Sequence, residues 1–257
     1  MLKFVTQLAM TSGSVRIQRA LARAGVGSRR KADELVASGR VRVNGEIAAI
    51  GQTVDPEHDH IAVDGAEIAR PGPAEWLLLH KPPGVLTTAR DERATGRRTV
   101  FDLVPPALRR PGLTYVGRLD YMTEGVLLLT TDGAAAHRLT HPSFHLERTY
   151  VATVRGNAVA ASRALRAGVE LDDGLVQPVT VNARPAGHRR WEIEITLTEG
   201  RTREVRRACE AVGLSLEKLV RTRFGPITLG TLPAGGIRPL TKREVRQLDQ
   251  SPWPTES

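Results

Sequence analysis

The sequence of 257 residues is poor in cysteine and aromatic residues and has no long apolar run. Its one cysteine, Cys209, can neither form an internal disulfide nor hold a zinc ion by itself, and its helix-like surroundings indicate a half-buried packing role. Aromatic residues are 4% of the chain, which argues against a surface of many base-stacking rings. No segment approaches the roughly 18 apolar residues of a membrane-spanning helix. Thr6 and Gln7 interrupt the apolar amino-terminal stretch, which makes a poor secretory signal, and we expect a cytoplasmic protein.

Signatures of cofactor binding are also missing. The sequence contains neither GxGxxG nor GxxxxGK[ST], which argues against a bound nucleotide. His137, His141 and His145 are spaced by four residues, but Pro142 interrupts the helix, so the third imidazole should not share a face with the other two. The tract LDDG at 171–174 lacks the alternating oxygen ligands of a calcium loop and is typical of a hairpin turn. We therefore expect no metal and no other cofactor.

Basic charge is what the chain does contain. Thirty-seven Lys and Arg residues against 28 Asp and Glu residues give a formal net charge of +9 and a pI near 10.5. A soluble protein this basic usually meets a polyanion through phosphate contacts. Between Val15 and Gly45, eight basic residues stand against only two acidic ones. Seven of these cations are candidate contacts to the polyanion: Arg16, Arg19, Arg29, Arg30, Lys31, Arg40 and Arg42.

Composition divides the chain into a small unit and a main body. We expect flexible tails at 1–14 and 248–257, a compact basic unit at 15–70, a linker at 71–75 (PGPAE) and the main body at 76–247. Strand-like and helix-like segments of the body follow one another without a steady βαβ repeat. The pattern therefore predicts an α+β domain with a mixed, largely antiparallel sheet flanked by helices.

The basic unit has the pattern of two short helices followed by a hairpin. An apolar stripe that starts at Val15 predicts the first helix, which should stop at Gly25. Ser28 is a good N-cap for a second helix, which should end at Gly39. The alternating segment VRVNGEIA then turns at its Asn-Gly pair.

These features resemble a known RNA-binding module. The run RIQRALARAGVGSRRKADELVASGRVRVNGEIA resembles an S4 domain over about fifty residues, which makes the seven listed cations candidate RNA contacts. A helix-turn-helix DNA-binding regulator is the competing interpretation. It explains the two helices but not the immediate return of the chain into a strand.

One aspartate of the main body lies in a suggestive tract. Asp120 follows Arg118 in a polar loop, GRLDYMTEG, between two apolar strands. An isolated loop aspartate is more often a turn or capping residue, so Asp120 alone identifies no site. The tract VGRLDYMTEGVLLLTTDG, however, resembles the signature of the RsuA/RluB family of ribosomal RNA pseudouridine synthases. Three further blocks follow the order of that family: HKPPGVL, ERTYVATV and EGRTREVRRACEAVGLSLEKLVRTRFGPITLG.

The resemblance implies an isomerase that converts one uridine of ribosomal RNA to pseudouridine without a cofactor. Asp120 would be its catalytic carboxylate, Tyr150 would pack against the uracil, and Arg206 would pair with Asp120. Arg118 would enter the space that the flipped nucleotide leaves, because a stacked base is out of reach for chemistry.

The resemblance also bears on the target. Met122, Thr202 and Val126 depart from the usual family pattern, yet none of them removes a proposed catalytic group. The S4-like tract and the RRACEAVG block look closer to the large-subunit branch of the family, which implies 23S rRNA as the partner. A monomer is the default expectation, since the sequence does not fix the oligomeric state. A 16S rRNA enzyme and a non-catalytic ribosome-assembly factor are the alternatives.

Overall fold

The computed structural model describes residues 14–250, except 71, 90 and 92–94. Most of the two predicted tails and Pro71 of the predicted linker therefore lie outside the described residues. The chain forms two compact units. The first unit consists of the described residues up to Ala74 together with two later segments, Arg109–Leu113 and Thr131–Gly133. The second unit consists of the other described residues from Glu75 onward. Within the described ranges, no helix combines the length and the hydropathy that crossing a membrane requires.

The first unit contains two helices and short strands. Its elements are β1 (Val15–Arg16), α1 (Ile17–Arg23), α2 (Arg29–Ala37), β2 (Val41–Val43), β3 (Glu46–Ile47), β4 (Thr53–Val54), β5 (Ile61–Val63) and β6 (Ala66–Glu67). Strand β1 pairs with β4, and the other four strands form a sheet in the order β3-β2-β5-β6. Apolar side chains of both helices and of β2, β4 and β5 form its core.

Local signals in the sequence of this unit were read correctly, with one exception. Ser28 Oγ accepts a hydrogen bond from the Lys31 backbone N–H at 3.2 Å and so caps α2 as predicted. Asn44 (φ 52°) and Gly45 (φ 88°) both take the left-handed conformation that a two-residue hairpin turn needs. Val15 was wrongly predicted to be helical, because pairing with Val54 places it in β1 instead.

The second unit is built on a nine-stranded sheet. Its elements are β7 (Trp76–Lys81), β8 (Thr114–Val116), β9 (Glu124–Thr130), α3 (Gly133–Thr140), β10 (Arg148–Arg155), α4 (Ala158–Ala167), β11 (Val169–Leu171), β12 (Gly174–Val176), β13 (Thr180–Pro185), β14 (Trp191–Leu197), α5 (Glu204–Ala211), β15 (Ser215–Phe224), β16 (Ile227–Thr228), β17 (Ile237–Pro239) and α6 (Lys242–Asp249).

The strand order confirms the predicted α+β class. The sheet runs β13-β14-β10-β15-β9-β7-β17, with β16 added to β15 and β8 added to β9. Every pair is antiparallel except β15 with β9, which is parallel. Strands β11 and β12 form the hairpin predicted around LDDG. The sheet is therefore mixed and largely antiparallel, as expected.

Two apolar cores stabilise this unit. One joins β10, β14 and β15 to α4 and α5 and includes Cys209, which is fully buried rather than half-buried. The other joins β7, β8 and β9 to α3 and α6 and includes Leu248. Because α6 continues to Asp249 and Leu248 is buried, the folded body extends two residues beyond the predicted boundary at 247.

Candidate active site

Asp120 lies in the loop that joins the antiparallel strands β8 and β9. Thr87 Oγ1 donates to the Leu119 carbonyl at 2.9 Å, and the Gly84 N–H donates to the Tyr121 carbonyl at 2.8 Å. These bonds hold the backbone on both sides of the aspartate. The Asp120 side chain remains 33% exposed, so a fixed loop presents its carboxylate to incoming molecules.

Gly125, the last residue of the tract GRLDYMTEG, allows two strands to approach closely. Strand β9 pairs with β15 through Glu124 with Val220 and Gly125 with Arg221. A Cβ atom on Gly125, whose φ is 114°, would lie 2.2 Å from the Arg221 carbonyl oxygen. Only glycine fits here, because both the space and the backbone conformation exclude a side chain.

Lys81 holds the Asp120 loop from inside the protein. Its side chain is fully buried, and Nζ donates to the carbonyls of Pro82 at 3.0 Å, Tyr121 at 3.2 Å and Thr123 at 3.0 Å. Burial lowers the pKa of Lys81 to about 8, against the opposing attraction of the Asp120 and Glu124 carboxylates. The motif HKPPGVL was recognised, but no role was predicted for its lysine. Its position at the end of the apolar strand segment WLLLHK was the available sequence signal that this lysine is buried.

Arg206 approaches Asp120 from the first turns of helix α5. Its Nη2 donates to the Met122 carbonyl at 2.9 Å and to Thr123 Oγ1 at 3.2 Å, and its Nε lies 3.9 Å from Asp120 Oδ2. Burial lowers the pKa of Arg206, as does the neighbouring Arg203 cation, while Asp120 opposes both. The predicted pair therefore meets in space, with the guanidinium hydrogen-bonded to the loop and close to the carboxylate.

The segment before α5 is fixed by buried charged groups. Arg148 Nη1 donates to the carbonyls of Leu146 at 3.0 Å, Thr198 at 2.7 Å and Glu199 at 3.2 Å. The Arg201 N–H donates to Glu204 Oε2 at 3.2 Å, and burial raises the pKa of the Glu204 carboxyl. None of these residues was predicted to belong to the site, because their role depends on burial that the sequence pattern does not reveal.

A single cleft brings the predicted residues of this unit together. It has a volume of about 650 Å³ and is lined by Asp120, Arg118, Tyr150 and Arg206, among others. This size suits one small group, such as a nucleoside. Tyr150 is half-buried on β10, and Arg118 is exposed at the edge of the loop. Cations predominate, since three carboxylates face six arginines in the lining: Arg118, Arg148, Arg201, Arg203, Arg206 and Arg221.

The remaining predicted contacts all lie in the first unit. Arg29, Arg30 and Lys31 are exposed in the first turn of α2, with Lys31 Nζ 3.0 Å from Glu34. The other four are exposed or half-buried, and each has a partner in the protein: Arg16 the Gly51 carbonyl, Arg19 the Asp132 carboxylate at 3.9 Å, Arg40 the Asp64 carboxylate, and Arg42 the Gly45 carbonyl.

The three histidines at 137, 141 and 145 do not form a metal-binding cluster in the described structure. Helix α3 ends before Pro142 as predicted, and His145 takes a left-handed conformation after a short 3-10 turn. The rings of His137 and His141 are 6.0 Å apart. Among the described residues, no group of three or more His, Cys, Asp or Glu side chains could hold a metal ion.

The fold and the basic cleft indicate an enzyme that acts on a polyanion. The family model described as RNA pseudouridylate synthase matches residues 75–211, and that of the S4 domain matches residues 15–61. The chain therefore belongs to the RNA pseudouridylate synthase family and carries an S4 domain. Both resemblances are confirmed, the protein is an isomerase with RNA as its substrate, and the DNA-binding alternative is set aside.

Individual relatives agree with this assignment. The chain is 42% identical over 243 residues to an uncharacterised RNA pseudouridine synthase of Mycobacterium tuberculosis, covering 92% of this chain and 94% of that protein. It is 39% identical over 237 residues to ribosomal large subunit pseudouridine synthase B of Bacillus subtilis, covering 91% and 95%. A solved crystal structure of a pseudouridylate synthase is similar with a TM-score of 0.63 and 27% identity, over 91% of this chain and 99% of that chain.

Proposed function

We propose that this enzyme converts one uridine of 23S rRNA to pseudouridine, with Asp120 as its catalytic carboxylate. The observation that carries the proposal is the position of Asp120 in one cleft with Tyr150 and Arg206. The choice of 23S rRNA is supported by relatives in Bacillus subtilis and Shigella flexneri, both named ribosomal large subunit pseudouridine synthase B, at 39% and 42% identity.

The reaction needs only groups that line this cleft. The C1′–N1 bond of the uridine breaks, the uracil turns, and C5 forms a new bond to C1′. The C5 proton leaves and N1 takes up a proton, so the product is an isomer and no oxidant or reductant takes part. Asp120 assists the departure of the base, as a nucleophile or as the charge partner of the ribose. Arg206 keeps a cation beside that carboxylate.

The other predicted residues serve RNA binding. Tyr150 packs against the face of the uracil, and Arg118 fills the space that the flipped nucleotide leaves in the RNA. The seven cations of the first unit, three of which are exposed in the first turn of α2, bind RNA phosphates. The enzyme acts as a monomer on free or partly assembled large-subunit RNA.

Tritium release tests the proposal directly. Unmodified 23S and 16S transcripts, each made with uridine that carries tritium at C5, are incubated separately with the full-length enzyme, and the modified position is then mapped. We expect tritium release from 23S RNA alone and none with the Asp120→Asn protein. Release from 16S RNA alone would establish the alternative target. Release from neither RNA, with RNA binding intact, would contradict the proposed function.

A further inference from the structure

Arg221 is a buried cation of the cleft to which the proposed mechanism gives no role. It is 2% exposed and lines the cleft together with Asp120 and Tyr150. Its Nε donates to the Val126 carbonyl at 2.8 Å, and its guanidinium carbon lies 5.0 Å from the centroid of the Phe224 ring. Its Nη2 is buried and has no hydrogen-bond partner among the described residues. Such a donor is costly to leave unsatisfied, so it points to a ligand.

Arg148 provides an internal comparison. Its guanidinium carbon also lies over the Phe224 ring, 5.5 Å from the centroid, but its Nη1 donates to three backbone carbonyls. Within the described residues, neither arginine has a carboxylate at ion-pair distance. Arg148 therefore has its hydrogen-bond partners within the chain, whereas Nη2 of Arg221, a residue that lines the same cleft, has none among the described residues.

A shift of strand register aims Arg221 at the site. In the pairing of β10 with β15, Thr149 lies opposite Arg223 and Tyr150 lies opposite Arg221, so Thr222 is an extra residue. Such bulges commonly re-aim side chains beside active sites. Because directly paired residues share one face of a sheet, Arg221 is beside Tyr150, whereas Arg223 is on the opposite face with Thr149.

We propose that Arg221 donates a hydrogen bond to a carbonyl oxygen of the uracil, O2 or O4, and stabilises the base as it leaves. The inference rests on the proposed function. When the C1′–N1 bond breaks, its electron pair stays with the uracil and spreads from N1 onto both carbonyl oxygens. A buried cationic donor at one of these oxygens opposes the developing negative charge, as donors do in oxyanion holes. The charge disappears when C5 bonds to C1′, C5 loses its proton and N1 gains one.

Position favours the base over a phosphate as the ligand. Tyr150, the expected partner of the uracil face, is the direct cross-strand neighbour of Arg221. A donor beside that ring reaches the edge of a stacked base. A contact to the hydrated phosphate backbone of RNA is more typical of exposed cations such as those of α2, and Arg221 is almost completely buried.

The test combines protein variants with single-atom changes in the substrate. Short RNAs carry the uridine mapped in the transcript experiment as uridine, 2-thiouridine or 4-thiouridine, since sulfur accepts hydrogen bonds poorly. Single-turnover rates are measured with wild type, Arg221→Gln and Arg221→Lys, and thermal unfolding checks the fold of each variant. Arg223→Gln is the matched control, because this arginine lies on the same strand but outside the cleft.

The inference is decided by whether the effect of changing Arg221 and the effect of replacing O2 or O4 of the uracil depend on each other. We expect Arg221→Gln to slow the uridine reaction by about 10²–10³-fold, the usual effect of losing one such donor. One thio substitution should slow the wild type and the Arg223→Gln control by about tenfold or more, but leave Arg221→Gln within about twofold of its own uridine rate. Arg221→Lys should lie between the two.

Three results would overturn the inference. The first is a wild type that neither thio substitution slows, a result that needs no variant to fold. The second is a thio effect of equal size in the wild type and both Arg221 variants. The third is an Arg221 variant with a normal rate at saturating RNA but a shallower salt dependence of binding, which would indicate a phosphate contact. Failure of the proposed function is distinguishable, because the wild type would then modify no uridine at all.

Discussion

The contact between Asp120 and Arg206 is long for an ion pair. The 3.9 Å separates Nε from Oδ2, while the nearer bonds of Arg206 go to Met122 and Thr123 in the same loop. Arg206 thus has two effects, since it fixes the loop and supplies a nearby cation. The Asp120 carboxylate, 33% exposed and at the far limit of an ion pair, is accessible to a ligand in the cleft.

We predict that Asp120 and Arg206 act as a unit. Asp120→Asn keeps the shape of the side chain and should abolish turnover while RNA affinity stays within a few-fold. Arg206→Ala should lower kcat by about 10²-fold or more alone, but should cost little when added to Asp120→Asn. Single-turnover assays of the four proteins measure this, with Arg163→Ala, an exposed cation on α4, as the control. Additive losses, or an active Asp120→Asn protein, would refute the assignment.

Lys81 leads to a prediction about stability at alkaline pH. Its pKa falls from 10.5 to about 8 in the folded protein, so between these values the unfolded chain binds more protons at this site. Stability from this residue is therefore lowest below pH 8 and rises up to pH 10.5. The whole rise is at most about 3 kcal/mol. Urea unfolding of wild type and Lys81→Met across this range should show wild type gaining relative to the variant. A constant difference would exclude the titration.

Sequence and structure agree on some residues of the site and not on others. Asp120, Tyr150, Arg206 and Arg118 were identifiable because a family motif marks each of them. Lys81, Arg148 and Arg221 also lie in the quoted family blocks, but no role was predicted for them, because the sequence does not show that they are buried. Their importance comes from burial between strands, and burial depends on pairings such as β9 with β15 that no local pattern encodes.

At the scale of elements, strong local signals gave the correct structure and weak ones did not. Helix α2 was predicted from its Ser28 cap and Gly39 end, and the amphipathic segment TREVRRACEAVG predicts α5 with its end at Gly213. Strand β13 was missed because it is short and carries only two small apolar side chains, Val181 and Ala183, before it ends at Pro185. Helix α6 was also missed, although its Thr241 and Glu244 form a capping box that the spacing T-x-x-E indicates.

The start of α6 should be sensitive to acid. Glu244 accepts hydrogen bonds from the Thr241 N–H at 2.8 Å and from Arg238 at 2.6 Å, and the Arg238 guanidinium is the main cause that lowers its pKa from 4.5 to about 2. A lowered carboxyl pKa gives stability that is complete above pH 4.5 and is lost as pH falls toward 2. With partial solvent screening, we expect about 1–2 kcal/mol.

The matched comparison is Glu244→Gln, which keeps the shape of the side chain. Its free energy of unfolding should lie below that of wild type at pH 6, and the difference should shrink as pH is lowered from 4.5 toward 2. Chemical denaturation followed by circular dichroism measures both proteins under identical salt. If the difference is independent of pH, the ion pair with Arg238 does not contribute as the structure indicates.

For the whole molecule, the first prediction concerns cofactors. Because uridine and pseudouridine are isomers, the chemistry demands no redox group, and the described residues contain no metal-binding cluster. Turnover should survive exhaustive EDTA treatment without any added small molecule. A parallel reaction controls for RNA folding: the RNA is folded beforehand and Mg²⁺ is added back to the EDTA-treated enzyme. Loss of activity that only a transition metal restores would refute a cofactor-free enzyme.

The net charge of +9 gives the last prediction, which separates binding from chemistry. Arg29, Arg30 and Lys31 lie exposed in the first turn of α2, where free backbone N–H groups also favour phosphate. Changing all three to alanine should make the salt dependence of RNA binding shallower by roughly 0.7–0.9 per lost phosphate contact. Lys31 should contribute least, because Glu34 lies 3.0 Å from its Nζ and already balances part of its charge.

The control removes the same charge elsewhere. Lys242, Arg243 and Arg246 are three exposed cations on α6, and changing them to alanine should alter the salt slope much less. Turnover at saturating RNA should be near normal in both triple variants, because Asp120 and its cleft belong to the other unit. A large loss of that turnover in the α2 variant, with an unchanged salt slope, would show that the cations of α2 act in the chemistry. That result would contradict the proposal that the S4 domain serves only to bind RNA.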